Sequence, residues 1–161
     1  MTMTTAQLTS AGPRALAMPV QDTARMSGWP SLPPQGIGTL PLARLRRVTD
    51  YIREHLDEGL TLAQLGGVVY MSPYHFARLF QRSTGLPPHR FVVRARIAHA
   101  SALLAAPEPS IARISRVVGF RTPSHFSTVF RRTMGVTPHE YRARCLQAGA
   151  SRRAGGPDDA A

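Results

Sequence analysis

Between Leu42 and Tyr141 apolar residues return at three- and four-residue steps, the period of helices that bury one stripe. Leu42, Leu45, Val48, Ile52 and Leu56 set the first stripe and predict an opening helix ending near Gly59. "TLAQLGGVVYMSPYHFARLF" follows, with Thr61 as N-cap and Gln64 three residues on, the spacing of a capping box. A short helix from Leu62 to Val69 is predicted there. Ser72 then caps a second helix whose first residue is Pro73, where a missing N–H costs nothing. On that helix Phe76, Leu79, Phe80 and Ser83 share the inward face, and Tyr74, Ala77, Arg78 and Gln81 the outward one. Two helices parted by so short a turn make a helix-turn-helix.

The pattern is then written again. "SPYHFARLFQRSTGLPPHRF", from Ser72, and "TPSHFSTVFRRTMGVTPHEY", from Thr122, agree at eight of twenty positions: Pro, His, Phe, Phe, Arg, Gly, Pro and His. Upstream the offset is 49, so that Thr61, Leu65, Val68 and Val69 match Ser110, Ile114, Val117 and Val118; the extra turn residue is Arg121. In the second copy Phe126, Val129 and Phe130 go inward and Ser124, Ser127, Thr128 and Arg131 outward. Between the copies "PPHRFVVRARIAHASALLAAP" suits one long helix, with Phe91, Ile97, Ala98, Leu103 and Leu104 serving both cores. The fold class expected is all-α: a seven-helix domain of two helix-turn-helix subdomains joined by a long linker helix, with no strand. Its bounds are about 41–145, with the first helix-turn-helix at about 61–85, the linker helix at about 88–106 and the second helix-turn-helix at about 110–134. Residues 1–40 are expected to be a disordered leader, since breakers such as "WPSLPPQGIGTLP" carry no apolar period. Residues 146–161, "LQAGASRRAGGPDDAA", are expected to be a disordered tail.

Charge narrows the function. The chain has 161 residues and a formal charge of +11, all twenty basic residues being arginine. The arginine-only usage fits a GC-rich genome, but the charge excess does not follow from it. From 41 to 145 sixteen arginines face six acids, and four of those six, Asp50, Glu54, Asp57 and Glu58, are expected in the opening helix. That helix therefore turns away from an anionic partner, while the rest attracts a nucleic acid or an anionic surface. Apolar runs fall far short of the ~20 residues of a membrane span, and the N-terminus lacks the basic start of a signal peptide. One cysteine, Cys145, permits neither an internal disulfide nor a cysteine-based zinc site and suits a reducing cytosol. A cytoplasmic protein without cofactor, metal or membrane partner is expected.

The major groove of B-DNA admits a helix and displays a base-specific donor and acceptor pattern. Arg78 can pair with a guanine through two hydrogen bonds, and Tyr74 offers a ring or a hydroxyl. Ser72 and Thr122 stand at helix N-termini, where amides favour a phosphate; Arg82 is a further phosphate candidate, and Arg121 in the second turn is a further DNA-binding candidate. Two units on one chain can read groove segments about one turn apart, which other helix-turn-helix proteins achieve by dimerising.

Ile114 to Arg142, "ISRVVGFRTPSHFSTVFRRTMGVTPHEYR", resembles the signature of the AraC/XylS transcription regulators, with Gly119, Phe120, Phe126, Phe130, Gly135, Pro138, Tyr141 and Arg142 at the family's places. The resemblance spans about 41–145. It implies the same seven-helix architecture and sequence-specific promoter binding; the chain is expected to be a non-enzyme, monomeric on double-stranded DNA, with RNA polymerase as a further partner. It also implies base-reading places at Tyr74, Ala77 and Arg78, and at Ser124, Ser127 and Thr128. The chain departs from the family in three ways. Forty loop-like residues cannot form the usual effector-binding barrel, so the chain is similar in size to the stand-alone activators of the MarA and SoxS kind, or is a truncated member. Tyr70 stands where the family has Gly, and Gly66-Gly67 interrupt a short helix. Ala77 and Thr128 are shorter than the family's usual contact residues.

Plainer readings compete at several positions. His75 and His125 lie beside the core and are expected to pack there, with phosphate contact as the alternative; Arg82 and Arg132 are either solvated or on phosphate. Gly66 and Ser115 match as small residues for close helix approach, and the remaining histidines show no ligand spacing. Two rival functions stay open. One is a helical interaction module acting on RNA polymerase or another regulator. The other is a DNA-modifying enzyme, for which Cys145 would need an activating neighbour.

Overall fold

The computed structural model describes residues 38–154, which form seven helices and no strand among the described residues. Most of the expected leader and the end of the expected tail lie outside the described residues. In chain order the helices are α1 Leu42–Glu54, α2 Leu62–Val68, α3 Pro73–Thr84, α4 Pro88–Leu104, α5 Ile111–Val117, α6 Pro123–Met134 and α7 Pro138–Ala154. The helix-turn-helix pairs are α2–α3 and α5–α6, with α4 between them.

Local chemistry sets the boundaries. The capping box at α2 forms as the spacing predicts: the Gln64 amide donates to Thr61 Oγ1 at 3.2 Å, and the Thr61 amide to Gln64 Oε1 at 2.8 Å. A second reciprocal cap, Thr137 with Glu140, starts α7. Thr122 caps α6 by accepting from the His125 amide at 3.2 Å. Ser72 occupies the N-cap of α3 without a side-chain cap bond, contrary to the sequence expectation. The backbone is not the reason, since Ser110 at φ −60° caps α5 by accepting from the Arg113 amide; the Ser72 hydroxyl is turned away by its side-chain rotamer. The opening helix stops at Glu54 rather than near Gly59, because His55 leaves the helical region at φ −122° and ψ 32° and the chain goes on in a turn closed by the Glu58 amide on the His55 carbonyl.

Two further boundaries differ from the sequence reading. Leu40, at the end of the expected leader, is fully buried in the first core, and its amide donates to Ser83 Oγ at 2.7 Å. Breaker-rich sequence upstream hides this single apolar anchor. The last helix runs to Ala154, into the segment expected to be a disordered tail. Leu146 to Ala154 contains no proline, and its one internal glycine costs only about 1 kcal/mol relative to Ala.

The core has two parts sharing α4. Leu40, Leu45, Val48, Ile52, Leu56, Leu65, Val69, Phe76 and Phe80 pack with Phe91, Val92 and Ala95 in the first. Ile114, Val118, Phe120, Phe126 and Phe130 pack with Ile97, Ala100 and Leu104 in the second. Each contains the same aromatic triplet: Phe76, Phe80 and Phe91, with centroids 5.2 and 5.1 Å apart, and Phe126, Phe130 and Tyr141, at 5.5 and 5.6 Å. Tertiary burial of this kind, about 1.5–3 kcal/mol for each large apolar side chain, holds seven-residue helices that would be unstable alone. Gly66 is required by packing, since a Cβ there would lie 2.7 Å from the Met71 carbonyl oxygen.

Candidate nucleic-acid interface

The phenylalanines that anchor α3 and α6 decide what the other face of each helix presents. Phe76 and Phe80 are fully buried, which turns Tyr74, Arg78 and Gln81 outward; Tyr74 is 89% exposed. Ala77, between the faces, is half-buried, and Arg82 is exposed. On α6 burial of Phe126 and Phe130 likewise leaves Ser124, Thr128 and Arg131 exposed and Ser127 half-buried. Tyr74, Ala77, Arg78 and Gln81 follow an i, i+3, i+4, i+7 spacing, and Ser124, Ser127, Thr128 and Arg131 repeat it. Each set is a single ridge.

The two ridges differ in reach. On α3 the side chains are long, and Ser72, Tyr74, His75 and Arg78 line one shallow, open depression at the N-terminal end. His75 is exposed there, not packed as the sequence reading expected, because the helix rotation set by Phe76 and Phe80 puts it beside Tyr74. On α6 the side chains at the first three ridge positions are short, and the Thr128 hydroxyl donates to the Ser124 carbonyl at 3.0 Å. His125 is also exposed, its ring edge-on to Phe120 at 5.5 Å. Arg121 and Thr122 are exposed at the start of α6, and Arg131 and Arg132 farther along.

Neither α3 nor α6 carries an acid, whereas Asp50 and Glu54 lie on α1, where Asp50 pairs with Arg53 at 2.8 Å. Glu140 is the acid that senses Arg131, and its carboxyl is held below the usual range first by the backbone hydrogen bond from Thr137. Among the described residues no group of three or more His, Cys, Asp or Glu could hold a metal, and no helix is long and apolar enough to cross a membrane. Cys145 is half-buried on α7 beside Tyr141, whose phenol is pushed up by burial and by the neighbouring Cys145.

One important residue escapes the sequence reading. In the sequence Arg96 of α4 counts only as charge, yet its Nε donates to the Leu56 carbonyl at 2.9 Å and its Nη2 to the Glu58 carbonyl at 2.5 Å. Its guanidinium also lies 5.9 Å from the centroid of Phe120. Burial lowers its pKa and Asp57 raises it. The clue in the sequence is an arginine placed between Ala95 and Ile97, both buried.

Comparison with known proteins agrees with this geometry. A family of helix-turn-helix domains matches residues 65–144. The regulatory protein PocR of Salmonella typhimurium is 39% identical over 78 residues, 48% of this chain and 26% of PocR. The DNA-binding domain of AdpA, a global transcriptional factor solved in complex with a target DNA, superposes with a TM-score of 0.61 at 33% identity, covering 70% of this chain and 98% of that domain. A transcriptional regulator with an AraC-type DNA-binding domain from Chromobacterium violaceum gives a TM-score of 0.62 at 28% identity, covering 65% of this chain and 94% of that one. The chain spans less than a third of the length of the curated relatives it matches.

Proposed function

From a chain that belongs to the AraC/XylS family of helix-turn-helix regulators, we infer a sequence-specific DNA-binding transcription regulator that sets α3 and α6 into adjacent major-groove segments of one duplex. The observation that carries the reading is the pair of ridges at matching register, each exposed at three of its four positions, both free of acids and both backed by a buried phenylalanine pair. In this reading Tyr74, Ala77, Arg78 and Gln81 face base edges in one segment, and Ser124, Ser127, Thr128 and Arg131 in the next. Ser72, Arg82, Arg121 and Thr122 hold phosphates and fix the register. The uncapped Ser72 hydroxyl supports its share, since no helix amide competes for it.

The chain acts in the cytoplasm, as a monomer on its site and without catalysis; the neighbour of Cys145 is a phenol rather than an activating base. Binding of RNA polymerase would extend this reading to activation. The test begins with DNA sites selected from a random pool. Affinity is expected to fall steeply with salt as phosphate counterions are released. Arg78→Ala is expected to lose about 1–3 kcal/mol at one base position, and Arg82→Ala to weaken all sequences alike and lower the salt slope. Equal losses for Arg78→Ala on selected and scrambled duplexes would refute base reading. A salt-independent association with DNA would leave the protein-interaction module as the better account.

A further inference from the structure

Resting on that reading, we infer that Arg96 is a positioning residue which fixes the two recognition helices relative to each other, and with them the spacing of half-sites the protein accepts. Three pieces of chain meet at its guanidinium. The first is the α1–α2 connection of the first unit, whose Leu56 and Glu58 carbonyls accept its two hydrogen bonds. The second is α4 itself, at the step where its buried residues pass from the first core, at Ala95, to the second, at Ile97. The third is the turn of the second unit, where Phe120 lies under the guanidinium and Gly119 approaches so closely that a Cβ would meet the Leu56 carbonyl oxygen and come within 2.7 Å of Arg96 Nη2. That turn leads directly into α6. A tilt of the second unit against the first must therefore break charge-assisted hydrogen bonds or press backbone on backbone.

The internal repeat shows that this seam is one-sided. Tyr70 holds in the first unit the place Gly119 holds in the second, and it keeps the positive φ, +56° against +79°. There the side chain is 85% exposed and lies 5.7 Å from the Arg47 guanidinium, so nothing behind it demands a glycine. Tyr70 departs from the family's glycine at a turn facing solvent. Gly119 keeps it at the turn facing the other unit.

Shifting one half-site by a base pair rotates it by about 35° around the duplex. A rigid protein then meets mismatched edges, at a cost on the order of tenfold or more in affinity. The experiment uses the full chain and the duplex it selects from random DNA, with one base pair inserted or deleted between the two contacted segments. The native protein is expected to lose at least about tenfold on either altered duplex, and Arg96→Ala and Arg96→Lys less than about a third of that loss, with base preference inside each segment unchanged. Lysine keeps the stem and charge but cannot span both carbonyls, and it decides the matter if the alanine variant unfolds. A second arm needs no DNA. Spin labels at Glu54→Cys and Thr133→Cys, in a Cys145→Ser background, should give a narrow distance distribution that broadens on changing Arg96. Broadening without any DNA binding would uphold the clamp and overturn the function proposed above. A native-width distribution or a native spacing profile in the Arg96 variants would overturn the clamp.

Discussion

Replacing Gly119 by alanine puts a single methyl group into the seam between the two units, and its effect can be worked out in advance. Two costs add. The residue stands at φ +79°, where a Cβ costs about 1 kcal/mol relative to glycine. The new methyl would also meet the Leu56 carbonyl oxygen and approach the Arg96 guanidinium carbon to 2.8 Å. That oxygen is backbone held by the Arg96 Nε hydrogen bond, so it cannot yield as a free side-chain end would. Overpacking of this kind costs about 1–3 kcal/mol, which gives a total of about 2–4 kcal/mol. Gly135 supplies the control, because it has φ +76° with nothing within 4 Å of the place a Cβ would occupy. Gly135→Ala should therefore show the conformational cost alone, about 1 kcal/mol. Urea unfolding followed by far-UV circular dichroism, with unchanged slope, measures both. Equal midpoint losses for the two variants would refute the close approach at Gly119 and weaken the case for a rigid seam.

Other expectations follow from single contacts. Ser83→Ala strands the buried Leu40 amide and should cost about 1–3 kcal/mol, whereas Thr133→Ala, at the matching exposed place on α6, should stay within about 0.5 kcal/mol; equal effects in chemical unfolding would remove Leu40 from the core. Burial lowers the His99 pKa, so the unfolded chain takes up a proton that the folded one resists. Stability is expected to fall as pH drops below about 6.5, the unperturbed histidine value, down to the lowered folded value. His99→Gln should flatten that slope in unfolding curves at successive pH values, and an unchanged slope would contradict the assignment. Cys145→Ala should leave DNA affinity within twofold of native in a direct titration, and a larger loss would tie that thiol to function.

What the sequence reveals and what it hides divide by the range of the interaction. The helices and the faces of α3 and α6 are legible because caps, breakers and the 3.6-residue period act within a few residues, and the repeat supplies each signal twice. Phe76, Phe80, Phe126 and Phe130 can be placed inward without any knowledge of their partners. Leu40 cannot be found that way, since its burial depends on Ser83, forty-three residues along. Arg96 is hidden for the same reason: its acceptors are carbonyls thirty-eight and forty residues away, and a carbonyl carries no mark in the sequence. The missing Ser72 cap turns on a side-chain rotamer, which residue type does not fix, since Ser110 caps α5 from the same backbone angles. The run of α7 to Ala154 is masked by weak breakers, which count for less than the helix-forming residues around them.

The central claim is that one chain offers two helices to the same duplex, and hydroxyl-radical and methylation footprinting at a measured stoichiometry tests it most directly. The account predicts one chain per duplex, protecting two major-groove windows on one face about 10 base pairs apart, with Arg78→Ala erasing contacts in one window and Arg131→Ala in the other. Protection confined to a single window, or two windows only when two chains are bound, would contradict it.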